Sequence, residues 1–243
     1  MAVRPVFSVS SPSEIEIVRE MQVEFEWYPG FSLQQKQRSI ASLHDSIIAT
    51  TDLRHPLEIS SKSRVHLGVE LSAFNLLLEF RSEHVFTASV ETAYQGSKVF
   101  DGCPRADLDR FALDSRGSRH RVKELEKGRS FTGWQLGRYR FPLSSGVDFY
   151  NWLYLGALHQ QPGLLERLLE YDCFTDIEFN PRKSLACQAR SAALAKALIR
   201  KEGSLLRFLR EVGRLHDSGD CALERDPRPS EQMLPSIQLL LEC

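Results

Sequence analysis

Glu91, Tyr94, Gln95 and Lys98 form the densest group of reactive side chains in the 243-residue sequence. Residues three and four apart are neighbours on a helix surface, so on a helix over Ser89–Phe100 these four share one face. That face carries a carboxylate, a phenol, an amide and an amine. At ~1.5 Å per residue, Glu91 and Lys98 are about 10 Å apart along the axis, able to address opposite sides of one ligand. Ser89 is placed to cap the helix, and Glu91 lies near its positive end. A solvated helix face with Tyr94 partly buried has the same pattern. The second group is Thr175–Asn180, where acids alternate with apolar residues. A half-buried strand here puts Asp176, Glu178 and Asn180 on one side, with Ile177 and Phe179 on the other. A carboxyl lying against apolar neighbours holds its proton to higher pH and can donate it. An ordinary edge strand with one wet face reads the same way.

The elements that must position these groups follow from local pattern. Phe31–Thr50 reads as an amphipathic helix capped by Ser32, after a Pro29-Gly30 turn, with Ile40, Leu43 and Ile47 on one stripe. Leu57-Glu58-Ile59 is a short extended segment followed by a polar loop at 60–63. Residues 76–88 read as a hairpin turning at Arg81-Ser82-Glu83, and 131–141 contains short strands. Asp101–Arg129 is polar and basic, a loop or a short exposed helix. Asp148 is placed to cap a helix running to His159, and Leu164–Tyr171 follows as a second after Pro162-Gly163. Phe174–Phe179 is extended and closed by Asn180-Pro181. Ser184–Arg200 and Ser204–Val212 are helices with basic outer faces. There is no internal repeat. The prediction is an α+β fold, predominantly helical with a few short strands, as one domain over 1–215 including an N-terminal extension. Residues 216–243 read as a mobile tail with a short helix at 232–242.

Composition narrows the function classes. The net charge is −1, which excludes a strongly basic protein that wraps duplex DNA. The charge is nevertheless patterned. Residues 101–140 hold ten basic against six acidic side chains, 181–214 nine against two, and the intervening 141–180 one against six. Basic faces are therefore available for phosphate. Apolar runs such as Leu239-Leu240-Leu241 are too short to span a bilayer, and the N-terminal residues lack the apolar core of a signal peptide. Five cysteines without CxxC or Cys/His zinc spacing read as free thiols of a cytoplasmic protein. His44, His55 and His66 stand eleven residues apart, which is no metal-ligand spacing. GxGxxG, P-loop, HExxH and GxSxG motifs are all missing from the sequence, which removes the main support for Rossmann, kinase, zincin and α/β-hydrolase readings.

Ser89-Val90-Glu91 followed by Tyr94-Gln95-Gly96-Ser97-Lys98-Val99-Phe100 resembles the NADAR (YbiA-like) signature, Ser/Thr-x-Glu and then aromatic-Gln-x-x-Lys-x-Phe. Leu71-Ser72-Ala73-Phe74-Asn75 resembles that family's Phe-Ser-Asn-Phe element. Trp152–Leu158, Leu165–Leu169 and Ile177-Glu178 follow its order of aromatic helix, Leu-rich helix and Leu-Val-Glu. The branch that accompanies DarT-type toxins is more similar still, through Leu57–Ser63, Ala93–Lys98, Asp176–Pro181 and Ser184–Ala192. The resemblance covers roughly residues 22–200. Ala73 replaces an Asn of the general element, and Gly102-Cys103-Pro104-Arg105 stands where a Gly-Gly-Pro-aromatic turn is usual.

The resemblance implies a single NADAR/YbiA-like domain acting as an N-glycosidase without metal or organic cofactor. The implied substrate is ADP-ribosylated guanine in single-stranded DNA, with ADP-ribose as product and a DarT-type ADP-ribosyltransferase toxin as functional partner. No membrane is involved. Cleavage of that bond needs a proton for the leaving amine and negative charge near the oxocarbenium, roles open to Glu91 and Glu178 in either order. Lys98 offers a covalent alternative by capturing the opened ribose as a Schiff base. Lys62, Ser72, Asn75, Tyr94, Gln95 and Asn180 are then candidates to hold nucleotide, ribose or phosphate. Gln188 and Arg190, at the start of a basic helix, are candidates for the diphosphate. Two other functions fit the family pattern: an N-glycosidase of phosphorylated aminoribosyl metabolites of the riboflavin pathway, and a non-catalytic antitoxin that binds its toxin. The extended N-terminal region through Lys62 favours the toxin-linked branch.

Overall fold

In a computed structural model the described residues are 1–11, 14, 16–81, 85–102, 115–181, 184 and 186–218. They fall into two compact units interleaved in sequence, residues 1–76 with 161–205, and residues 77–160 with 206 onward.

The first unit is built on a four-stranded sheet of order β2-β1-β9-β3. β1 (Ala2–Val9) runs antiparallel to β2 (Val18–Phe25), with Ala2 opposite Phe25 and Val9 opposite Val18. β1 is also antiparallel to β9 (Cys173–Thr175), and β3 (Pro56–Glu58) adds in parallel with Leu57 opposite Phe174. The predicted stripe of α1 (Leu33–Thr50) buries Ile40, Leu43 and Ile47 in one core with Val6, Val23, Phe25, Cys173 and Ile177. Ser32 caps that helix by accepting the N–H of Gln35. In α7 (Gln188–Glu202) every residue from 188 to 198 except Arg190 is buried, which small alanines make possible. Lys196 of α7 donates its ammonium to the carbonyls of Leu169 and Tyr171, just beyond α6 (Pro162–Leu168). α2 (His66–Glu70) approaches β3 so closely that a Cβ on Gly68 would lie 1.9 Å from the Glu58 carbonyl oxygen.

The second unit pairs β4 (Leu77–Arg81) with β5 (Val85–Ser89), Leu77 opposite Ser89, and has a three-stranded antiparallel sheet. That sheet is β6 (Lys98–Phe100), β7 (Phe131–Leu136) and β8 (Tyr139–Pro142). Four helices complete the unit: α3 (Val90–Gly96), α4 (Ser115–Leu125), α5 (Gly146–Gln160) and α8 (Leu206–His216). α5 is buried on all sides from Phe149 to Leu158, and Trp152 Nε1 donates to the Leu209 carbonyl of α8 at 3.0 Å.

The fold is α+β with helices the larger share, as predicted, and several boundaries differ. The helix begun at Ser89 stops at Gly96, because residues 98–100 pair with β7, Lys98 opposite Trp134. Lys98 therefore lies on a strand and does not share a helical face with Glu91. The extended segment after Cys173 ends at Thr175, because Asp176 turns its carboxylate onto the Glu178 N–H at 3.0 Å. The predicted one-sided row of Asp176, Glu178 and Asn180 is not formed. Asp148 lies in the first turn of α5, and α6 runs from Pro162 to Leu168 in place of Leu164–Tyr171. α7 starts at Gln188, since the Ser184 hydroxyl bonds the Ala186 carbonyl instead of capping a helix. α8 continues to His216. The basic 101–129 stretch contains α4, and β1, β2 and α2 were not predicted. Ser60 and Ser63 of the polar loop are buried. Arg81, expected in the hairpin turn at 81–83, is instead the last residue of β4, opposite Val85; residues 82–84, the Cys103-Pro104-Arg105 segment and the 232–242 helix lie outside the described residues.

Candidate functional site

Glu91, Tyr94, Gln95 and Lys98 belong to the second unit. Ser89 fixes the start of α3 by accepting the Thr92 N–H at 3.1 Å, the cap its position predicts. In the first turn, Glu91 is buried and accepts from Gln95 Nε2 at 3.0 Å, an i,i+4 bond within the helix. Tyr94 sits among aromatic rings, 5.5 Å from Trp134, 6.0 Å from Phe149 and 5.4 Å from Tyr150 between centroids. Burial, reinforced by the Glu91 charge, pushes its phenol up to about 12, so it stays a neutral hydroxyl. Lys98 reaches the same region from β6. Its ammonium lies 5.4 Å from the Phe131 ring and 5.9 Å from Tyr94, and 3.9 Å from Glu126 Oε1. Rings beneath a lysine supply an apolar bed and a weak attraction for its cation. Glu126 is a partner that spacing did not reveal, since it lies 28 positions downstream, just past α4. On the same sheet a cleft of about 410 Å³ is lined by Asp101, Gln135, Arg140 and Trp134 among others, a volume in the range of small-ligand sites.

Glu178, Asn180, Gln188, Arg190, Lys62, Ser72 and Asn75 belong to the first unit. Glu178 is half exposed and pairs with Lys36 Nζ at 2.9 Å, and that ammonium lies 5.2 Å from the Trp27 ring. The proton-retaining carboxyl expected in this stretch belongs to Asp176, which burial and the Glu58 charge push up to about 8. Glu58 is its buried companion and another residue that pattern reading missed. It accepts from the Thr175 hydroxyl at 2.6 Å and from the Ile177 N–H at 2.9 Å, and burial raises it too. The available signal was an acid set between Leu57 and Ile59 on a short strand.

Gln188 is engaged at both ends of its amide. Its Oε1 accepts the Ala73 N–H at 2.8 Å, and its side chain bonds the Asp176 carboxyl. Ser72 is fully buried and donates to the Val69 carbonyl at 2.8 Å. Asn75 donates to the same carbonyl at 2.9 Å and to Ser72 Oγ at 3.1 Å. Arg190, in the first turn of α7, and Lys62 are half-buried, and Asn180 is exposed. Cys173 and Cys187 are buried free thiols; the other three cysteines lie outside the described residues.

Among the described residues no three His, Cys, Asp or Glu side chains converge as a metal site, and no helix is long and apolar enough to cross a membrane. No curated protein matches the chain. A family profile described as DarT1-associated NADAR antitoxin matches residues 2–216. With the Glu91, Gln95 and Lys98 signature carried on α3 and β6, the chain belongs to the DarT1-associated NADAR antitoxin family.

Proposed function

We propose that the protein is an N-glycosidase that releases ADP-ribose from the exocyclic amino group of guanine in single-stranded DNA, undoing the mark of a DarT-type ADP-ribosyltransferase toxin. The observation that carries this reading is the setting of Lys98: an amine laid over Phe131 and Tyr94 with the Glu126 carboxylate 3.9 Å away. The rings fix where the amine points, and the carboxylate can take the proton that a nucleophilic amine must lose.

In the covalent route Lys98 Nζ bonds to the anomeric carbon as the bond from that carbon to the guanine amine breaks. The departing amine takes a proton from the Glu91 carboxyl, whose orientation Gln95 holds. The ribose ring oxygen then leaves the same carbon, taking up the proton released from Nζ, and a Schiff base forms. Water adds to the imine carbon and expels the lysine, returning ADP-ribose and an intact guanine. Tyr94, a neutral phenol, is assigned to ribose or base contact.

Incubation with an ADP-ribosylated guanine oligonucleotide tests the reading directly. Free ADP-ribose is expected, and borohydride during turnover should leave an adduct on Lys98. An active K98A protein with no adduct overturns the covalent step. A tight toxin complex without turnover would make the protein a binding antitoxin, and turnover only of phosphorylated aminoribosyl metabolites would reassign the substrate.

A further inference from the structure

We infer that the turn joining α4 to β7 is a phosphate-binding element beside Lys98. Residues 123–129 read Lys-Glu-Leu-Glu-Lys-Gly-Arg, a run of mixed charge that looks balanced. The structure unbalances it. Glu124 lies 3.7 Å from His120, and Glu126 turns to Lys98, so both acids have partners other than the three cations of the run. Lys123, Lys127 and Arg129 are exposed, and among the described residues none has a carboxylate within 4.0 Å. Three outward cations on seven residues make a local positive field without a countercharge of their own.

The base of the turn is fixed. Val122 and Leu125 bury with Phe100 and Phe131, and the Asp101 N–H bonds the Ser130 carbonyl at 2.9 Å. Gly128 adopts a left-handed backbone (φ 76°), and no atom lies within 4 Å of where a Cβ would stand, so a ligand can approach the main chain there. A phosphate held by these cations sits one residue from Glu126, the carboxylate that touches Lys98. The shared chemistry is a phosphate oxyanion, from two possible sources: the DNA phosphodiester next to the modified base, or the diphosphate of the ADP-ribosyl group. The inference rests on the N-glycosidase reading for its substrate, while the charges stand independently of it.

The test is the triple variant K123Q/K127Q/R129Q, whose changed side chains are exposed and should leave the unfolding temperature unaltered. Two substrates separate the sources: ADP-ribosylated guanosine, which has the diphosphate and no DNA backbone, and the ADP-ribosylated oligonucleotide. kcat should hold while KM rises on the order of tenfold. At about 0.7 in log–log slope per single-strand phosphate contact, the salt dependence should flatten by roughly 2. A rise for the oligonucleotide alone assigns the DNA backbone, and a rise for both substrates assigns the diphosphate. Unchanged KM and salt slope on both overturn the inference. If the wild type turns over neither substrate, the N-glycosidase reading falls. The phosphate inference is then decided by anisotropy with unmodified single-stranded DNA and with ADP-ribose alone, where equal binding by wild type and variant overturns it.

Discussion

The Thr175 hydroxyl donates its one proton to Glu58 Oε2 at 2.6 Å, while its oxygen lies 3.0 Å from His44 Nε2. With that proton committed, the His44 contact requires the imidazole to donate through Nε2, which fixes the neutral tautomer. Burial holds His44 down to about 4. A histidine depressed in the folded state contributes stability present above its unfolded value near 6.5 and lost as pH falls from there toward 4. H44Q should therefore remove acid sensitivity in that window, seen as urea midpoints that change less between pH 6.5 and pH 4 than those of the wild type.

Asp176 predicts the opposite slope on the alkaline side. Its carboxyl is raised to about 8 by burial and by the neighbouring Glu58 charge. A raised carboxyl contributes stability that is full below its unfolded value of 3.8 and lost as pH rises toward 8. Between pH 6.5 and pH 8 the loss from Asp176 is at most one proton, about 1.4 kcal/mol per pH unit, while unfolded His44, which still titrates at the lower end of that window, contributes equally to wild type and variant. D176N, which carries no ionisable group yet can still accept the Glu178 N–H, should flatten the fall between pH 6.5 and pH 8. A variant that keeps the wild-type slope would show that Asp176 titrates normally.

Gln188 offers a choice between holding a ligand and holding the fold. Its amide bridges the Ala73 N–H and the Asp176 carboxyl, joining the start of α7 to the turn that contains Ser72. Q188A strands the buried Ala73 N–H and removes one of the bonds to the Asp176 carboxyl, a loss of about 1–3 kcal/mol. The expected result is a lowered unfolding midpoint with KM for ADP-ribosylated guanosine unchanged. An unchanged midpoint with a raised KM would return Gln188 to the diphosphate.

What was legible in the sequence was local chemistry. Ser32 and Ser89 were readable as caps because a hydroxyl satisfying a helix N–H needs only its neighbours three residues on. The α1 stripe of Ile40, Leu43 and Ile47 was readable because a helix repeats over a short window. What failed depended on partners far along the chain. Lys98 leaves the helix because Trp134 pairs with it, and nothing within 90–100 announces that strand. Likewise β1 holds Pro5 within a run that reads poorly as a strand, yet it lies between β2 and β9. Glu58 was passed over because its importance comes from Thr175 and Ile177, more than a hundred residues away. Of the candidate site, the family signature located Glu91, Gln95 and Lys98, whereas Glu126 needed the fold.

On the N-glycosidase reading, the α3 cap ties stability to rate. Ser89 holds the Thr92 N–H, and the seven-residue helix it starts carries Glu91, Tyr94 and Gln95. S89A should cost about 1 kcal/mol. Because Glu91 lies within the first turn, kcat should fall more than global unfolding explains, as measured well below the melting temperature. S89D, which restores an acceptor at the cap, should recover most of both losses.

Lys98 can act as a charge or as a nucleophile, and K98R separates the two. Arginine keeps a cation for the rings of Phe131 and Tyr94 and for Glu126, but it stays protonated and forms no Schiff base. K98R should therefore lose kcat by about 10² or more, the scale of a missing catalytic group, with no borohydride adduct and little change in KM. E126Q supplies the complementary observation. It leaves the amine in place and removes the Glu126 carboxylate beside it, so kcat should fall while the adduct still forms, more slowly. A K98R protein with wild-type kcat would mean that Lys98 contributes charge alone and that Glu91 acts by acid–base chemistry without a covalent intermediate.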